Sequence, residues 1–377
     1  MLRLNDRATV SGRRILRPAA LLLPVAMASL LAGIWAGLVR LSWPLPSPDH
    51  LAALHGPLMV GGFLGTLIGL ERATALDAAW PYLVPGLAAL GALSLLSDAA
   101  PGLAAPLLTG SSLGMLGVYR VMLRRGATEA TRMMMVGAAA WAIGNCLWML
   151  GFAVFEVVGW WQAFIVLTIA GERLELGRVY SIPRSAARRL FVAVAIALVG
   201  LCGASAGIAG SRLLVGTSWV AIAVWLLQND RSIRTRGEGP YAALQRYMAA
   251  CLVSGYAWLA AGGAFTILVG EAVAGPGYDA IQHAVFLGFA FAMIFAHAPI
   301  VAEVVVGVRV PFRSAFYVPL VALHASLAGR IAGDLLAAPA TRQWGGLGNA
   351  VSLALFGAAV VGSALAASPR ESHTPRV

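Results

Sequence analysis

Lysine is absent from this chain, and all 27 basic residues are arginine. That absence reads as a coding bias rather than chemistry. Charge of any kind is scarce, at 11% of 377 residues against 59% hydrophobic. A soluble domain of this length does not carry so few charges, so the composition points to a polytopic membrane protein. The mean hydropathy of +0.80 agrees. Cysteine is equally rare: Cys146, Cys202 and Cys251 all lie in apolar runs, and no disulfide framework is implied. No CxxC or HExxH pattern occurs, so no motif names a metal. The net charge of +11 would suggest a nucleic-acid partner only if the arginines clustered on a soluble face. They fall instead in short loops between apolar runs, which argues against nucleic acid and for the lipid bilayer.

What is present is a series of twelve apolar segments of spanning length: 17–41, 50–72, 80–97, 103–123, 133–155, 157–177, 189–209, 211–228, 243–269, 279–307, 313–336 and 345–367. The third and eighth are the shortest. The expected fold is therefore all-α, a polytopic transmembrane helix bundle forming a single domain over 1–377, with tails at 1–16 and 368–377. Arginines orient it. One set of connections holds Arg3, Arg7, Arg13, Arg14, Arg17, Arg72, Arg124, Arg125, Arg132, Arg178 to Arg189, Arg231 to Arg246, Arg309 and Arg313. The alternate set holds only Arg40, Arg212 and Arg342. By the positive-inside rule both termini face the cytoplasm, across a bacterial inner membrane. The stretch SGRRILRP before the first segment is better read as the cytoplasmic flank of an uncleaved helix than as a twin-arginine signal. GLERA closes segment 2, GERLELGR closes segment 6, and Glu303 lies near the end of segment 10. These are the second helices of successive four-helix blocks, so the twelve helices divide naturally into three arcs of four.

Histidine placement carries the functional reading. Of six histidines, His373 lies in the polar tail; His50, His55, His283, His297 and His324 fall in segments 2, 10 and 11. At ~1.5 Å per residue, His55 and His283 share a depth near the outer face. His297 lies roughly 21 Å deeper on segment 10 and, for a regular helix, within about 40° of the face of His283. His324 shares that deeper level. Two depth-matched pairs on three helices suggest metal ligation, the outer pair clamping a haem iron from both sides. The plain alternative for each ring is a hydrogen bond to a backbone carbonyl or a nearby carboxylate. His50 is about 140° around the helix from His55 and ranks below it, although Pro57, with Asp49 as an N-cap, could kink the turn toward one site.

Gly61, Gly65 and Gly69 form a small-residue face suited to close helix packing or to a flat macrocycle. Phe286, Phe289, Phe291 and Phe295 could line such a group or simply be core. Arg330 and Asp334, four residues apart, could pair with each other, or Arg330 could hold a haem carboxylate. Glu71, Glu172, Glu175 and Glu303 read as ion-pair partners of Arg72, Arg173 and Arg178, or as a proton or cation path. Asn145 and Asn349 read as buried amides fixing helix contacts. A second function is consistent with the same residues: a proton-coupled secondary transporter, with polar groups at the midplane binding a small solute.

The stretches HGPLMVGGFLGTLIGLERA and QHAVFLGFAFAMIFAHAPI, set in twelve spans, resemble the NnrS family. Those are membrane proteins containing haem and copper, linked to nitric-oxide metabolism and nitrosative stress. The resemblance implies haem b between His55 and His283, with Arg330 beside it and a second haem or copper at His297 and His324. More distantly, the chain is similar to subunit I of haem-copper oxidases and nitric-oxide reductases. There, histidines on the second and tenth helices hold a low-spin haem, and His55 and His283 match those positions. That family's copper-site histidines on and after the sixth helix have no counterpart here, so its oxygen or nitric-oxide chemistry does not carry over. With short outer loops and no soluble domain, an electron partner would be a quinol or a small protein.

Overall fold

The computed structural model describes residues 8–367 apart from 49, 77, 98–100, 178–181 and 235–238. The described residues are helical, with no strand among them. Twelve helices run in order: α1 (Ala8–Arg40), α2 (Leu51–Leu76), α3 (Trp80–Leu96), α4 (Ala104–Arg125), α5 (Glu129–Met149), α6 (Val154–Gly177), α7 (Arg184–Ser205), α8 (Ser211–Asn229), α9 (Ala242–Val269), α10 (Gly275–Val306), α11 (Ser314–Leu335) and α12 (Pro339–Ala366). Each expected segment falls on one of them. Helix α1 starts at Ala8, inside the stretch expected as a tail, because Arg13, Arg14 and Arg17 are good helix formers. Asp49, Arg178, His373 and the C-terminal tail lie outside the described residues.

Nine of the described helices are long and apolar enough to cross a membrane. Helix α3 is shorter. Helices α4 and α5 also fall outside that class; Arg124, Arg125, Glu129 and Arg132 crowd the ends where they join. The bundle's outer surface is apolar, with Leu21, Leu268 and Leu365 each at least 74% exposed. Such a surface would be costly in water and is favourable against hydrocarbon.

Local signals explain the helix ends. Thr128 caps α5, its hydroxyl accepting from the Thr131 amide at 3.0 Å. Gly307, with φ of +72°, ends α10 in a left-handed turn that a side chain would strain. Sequential helices pack as neighbours from α3 to α6, from α7 to α10, and from α10 to α12. Helices α2, α6 and α10 meet one another between these groups. Polar bonds tie them at both ends. At the His55 end, Gln162 of α6 bonds Gln282 of α10 at 2.9 Å. At the other end, Arg72 of α2 reaches Glu172 of α6 at 2.9 Å, and Arg173 of α6 reaches His297 of α10 at 2.6 Å.

Helices α2 and α10 share an irregularity. Each contains eight residues of π-helix, Leu58–Gly65 and Ala284–Phe291. Such segments hydrogen-bond one residue further along the chain, widen the helix and are frequent at functional sites. Both begin just after a histidine, His55 or His283. Both carry a phenylalanine at the same offset from it, and Phe63 and Phe291 stack at 5.7 Å with their planes 17° apart.

Candidate functional site

His55 and His283 face each other across α2 and α10. Their ring centres are 6.1 Å apart and their planes 23° from parallel. The Nδ1 of His55 lies 2.7 Å from the carbonyl of Gly33 on α1. A carbonyl only accepts, so Nδ1 carries the proton. The Nδ1 of His283 donates to the carbonyl of Asp279 at 2.9 Å and lies 3.3 Å from its carboxylate. Both protons are therefore on Nδ1, and both Nε2 atoms keep a lone pair. No protein group among the described residues hydrogen-bonds either Nε2. Gly37 lies against the His55 ring: a Cβ there would come within 3.0 Å of Cε1.

The two rings line a cavity of about 490 Å³, within the range of small-molecule and cofactor sites. Met59, Val60, Phe286, Leu287 and Leu353 form apolar walls. Arg40, Arg330 and Arg342 line one side, with Asp279 the one acidic residue among the lining groups. Arg330 donates Nε and Nη2 to the Asp279 carboxylate at 3.0 and 3.1 Å. Asp334 pairs instead with Arg342, at 2.7 Å. The Arg330–Asp334 pairing expected from their spacing does not form, because α10 places a carboxylate closer to the guanidinium. Three arginines against Asp279 and Asp334 leave the rim positive. A rim of that sign suits a ligand bearing carboxylates.

The deeper histidines are not brought together. His297 donates Nδ1–H to the Met293 carbonyl at 2.7 Å. Its Nε2 lies 2.6 Å from the Arg173 guanidinium, which can only donate. His324 accepts at Nδ1 from the Trp258 indole at 3.0 Å, so its proton is on Nε2, which has no partner. Each ring's one lone pair is occupied, and neither is left for a metal in this structure. The estimate that His297 shares the face of His283 assumed a regular helix between them, whereas residues Ala284–Phe291 are π-helix. The intervening π-helix adds residues to its turns, and each added residue rotates the remainder of α10 by about 100°.

Other expectations resolve plainly. Gly61, Gly65 and Gly69 pack against Leu108, Trp141 and Pro85, so this face serves helix packing and not the cavity. Phe286 lines the cavity, whereas Phe289 and Phe295 are buried in the core. Arg72 pairs with Glu71 and Glu172, Glu175 accepts from Thr128 at 3.2 Å, and Glu303 is exposed. His50 does not line the cavity. Asn145 bridges α4 and α6 through the Leu108 carbonyl and the Trp161 indole, and Asn349 contacts Ser326. Asp279, Arg342 and Gly37 were not foreseen at the site. The i,i+4 spacing of Asp279 and His283 was the available signal.

Among the described residues, no group of three or more His, Cys, Asp or Glu is placed to hold a metal ion. Two imidazoles alone do not complete a tetrahedral protein site. A metal that arrives with its own equatorial ligands needs only two. No curated protein and no solved structure matches the chain. A family model does match, over residues 18–365, and by that match the chain belongs to DUF8744, a domain of unknown function.

Proposed function

We propose that this protein is an integral membrane haem protein, with His55 and His283 as the two axial ligands of one haem b. The observation that supports this best is the pair of facing rings with both Nδ1 protons spent and both Nε2 lone pairs free. With ring centres 6.1 Å apart, the two imidazoles would be close enough to hold one metal ion between them. Gly33 and Asp279 hold the tautomers, as partners of metal-bound imidazoles do. The Asp279–Arg330 pair stiffens that hold. The arginines at the rim suit the two haem carboxylates, and the apolar walls suit the macrocycle.

In this reading the twelve helices lie in the inner membrane of a bacterium with both termini in the cytoplasm, which puts the haem near the outer face. Axial ligation on both sides suits electron transfer, and a vacated side would let the iron bind a diatomic such as nitric oxide.

The test is to purify the protein in mild detergent after expression with ample haem and copper, then record oxidised and reduced spectra with metal analysis. A sharp low-spin haem spectrum, lost in His55→Ala and in His283→Ala, is the expected result. A colourless protein would overturn the reading and favour a transporter built around the buried network of Arg173, Asp230, Tyr256 and His297.

A further inference from the structure

A second cavity, of about 270 Å³, adjoins the first. It lies among α6, α7, α8, α9 and α10, and shares Phe155, Val158, Val273, Tyr278 and Gln282 with the histidine cavity as common wall. Phe152, Phe155 and Trp160 make much of the second cavity's lining aromatic.

The polar groups in this wall have fixed polarity, because each hydrogen-bond chain starts at an indole. An indole N–H donates and never accepts. Trp219 donates to Oε1 of Gln162 at 3.3 Å. Gln162 must then present its nitrogen to Gln282, and does so at 2.9 Å to Oε1. The Gln282 amide is left with its NH2 group unspent, in the wall common to both cavities. The second chain is shorter. Trp160 donates to the Ser205 hydroxyl at 2.9 Å, which leaves the Ser205 hydrogen without an acceptor among the described residues. Tyr278 adds a hydroxyl that no described group engages. Gln282 and Ser205 therefore offer donors, while the carboxylates of Glu156 and Glu271 already accept from the Ala153 and Gly210 amides. Charge narrows the ligand further. Arg212 is spent on Glu271 at 3.2 Å and on the Ala272 carbonyl at 2.7 Å, and Glu156 stands beside them. Two carboxylates against one guanidinium disfavour an anion.

We infer that this second cavity binds a neutral, planar molecule bearing carbonyl acceptors, of the quinone class, with one carbonyl accepting from the Gln282 amide and the ring against the aromatic wall. The inference stands on these donors alone and does not require a haem. If the haem is present, the residue next to its ligand His283 touches this second ligand.

The experiment titrates duroquinone into the detergent-purified protein and reads binding by calorimetry. The expected result is saturable binding, weakened about tenfold in Gln282→Leu, the loss of one hydrogen bond near the upper end of its usual worth. Ser205→Ala gives a smaller loss and serves should the Gln282 variant fail to fold. Trp219→Phe also weakens binding, since it frees the glutamine chain to reverse. Durohydroquinone, which brings hydroxyl donors where the Gln282 amide itself donates, binds more weakly than duroquinone. No saturable binding, binding unchanged in both Gln282→Leu and Ser205→Ala, or displacement by nitrite would each overturn the inference. A colourless protein that still binds duroquinone would sink the haem reading and leave this one standing.

Discussion

Helix α10 carries two histidines in chemically opposite situations. At one level His283 faces His55, and each ring has spent its proton on a carbonyl and kept its lone pair. At the other, His297 has spent both, one on Met293 and one on the buried guanidinium of Arg173. Residue type and helix are alike; the neighbours decide the role. All three rings place a carbonyl beside Nδ1; what differs is Nε2, left open in His55 and His283 and taken by the Arg173 guanidinium in His297. Any intervention that separates these two roles sharpens the contrast.

The largest separation comes from the first level. On the proposed haem reading, replacing His55 or His283 by alanine is expected to abolish the low-spin haem spectrum. His297→Ala and His324→Ala are expected to leave the spectrum's shape unchanged. If loss of His297 abolished the spectrum while His283→Ala kept it, the two levels would have to be exchanged.

Next comes the second level. Arg173 is 3% exposed and Asp230 is 5% exposed; they are 4.0 Å apart, and Tyr256 donates to Asp230 at 2.6 Å. Arg173→Ala strands a buried carboxylate, and removing one partner of such a pair costs about 3–5 kcal/mol. The expected outcome is a marked fall in the thermal midpoint, measured in detergent, with the spectrum of the surviving folded protein unchanged. An altered spectrum at unchanged stability would break the comparison.

A smaller effect returns to the first level. Asp279 links His283 to Arg330, so Asp279→Asn keeps the backbone carbonyl but weakens the carboxylate's hold on both. Loss of such an outer partner costs roughly 10–100-fold in metal affinity. Haem transfer to a competing acceptor protein would measure it. The same change at the second level, Asp230→Asn, is expected to leave haem affinity alone.

The sequence showed one half of this contrast and hid the other. Twelve apolar runs and the alternation of arginines are one-dimensional signals, and every run became a helix. The depth match of His55 and His283 also survived, because both lie near helix starts where little error accumulates. The inner pair reads in the sequence as a second ligand pair, but in the structure His297 and His324 bond to different partners, Arg173 and Trp258. Between His283 and His297 α10 passes through a π-helix that no residue pattern announces, so a face estimate for a regular helix does not apply there. Arg330 was placed at the right cavity with the wrong partner, since Asp334 is near in sequence and Asp279 is near in space. Gly37 was invisible: a glycine in an apolar helix signals nothing until the ring beside it is known.

That glycine supplies the finest test. The first level depends on the His55 ring lying against α1, where a Cβ on residue 37 would stand 3.0 Å from Cε1 and 3.1 Å from Nδ1. Gly37→Ala therefore tilts the ring away from the Gly33 carbonyl that fixes its tautomer. The helix itself should gain slightly, because alanine is favoured over glycine in a helix interior by about 1 kcal/mol. Stability and haem binding should thus move in opposite directions, with affinity falling by less than in Asp279→Asn and the thermal midpoint of the haem-free protein holding or rising. Gly86→Ala on α3, where an added Cβ meets nothing within 4 Å, is the matched control and should show the helix gain alone. If Gly37→Ala behaved like Gly86→Ala in both measurements, the ring orientation set by α1 would not matter to ligation. The tautomer argument for His55 would then lose its support, while that for His283, held by Asp279 on its own helix, would stand.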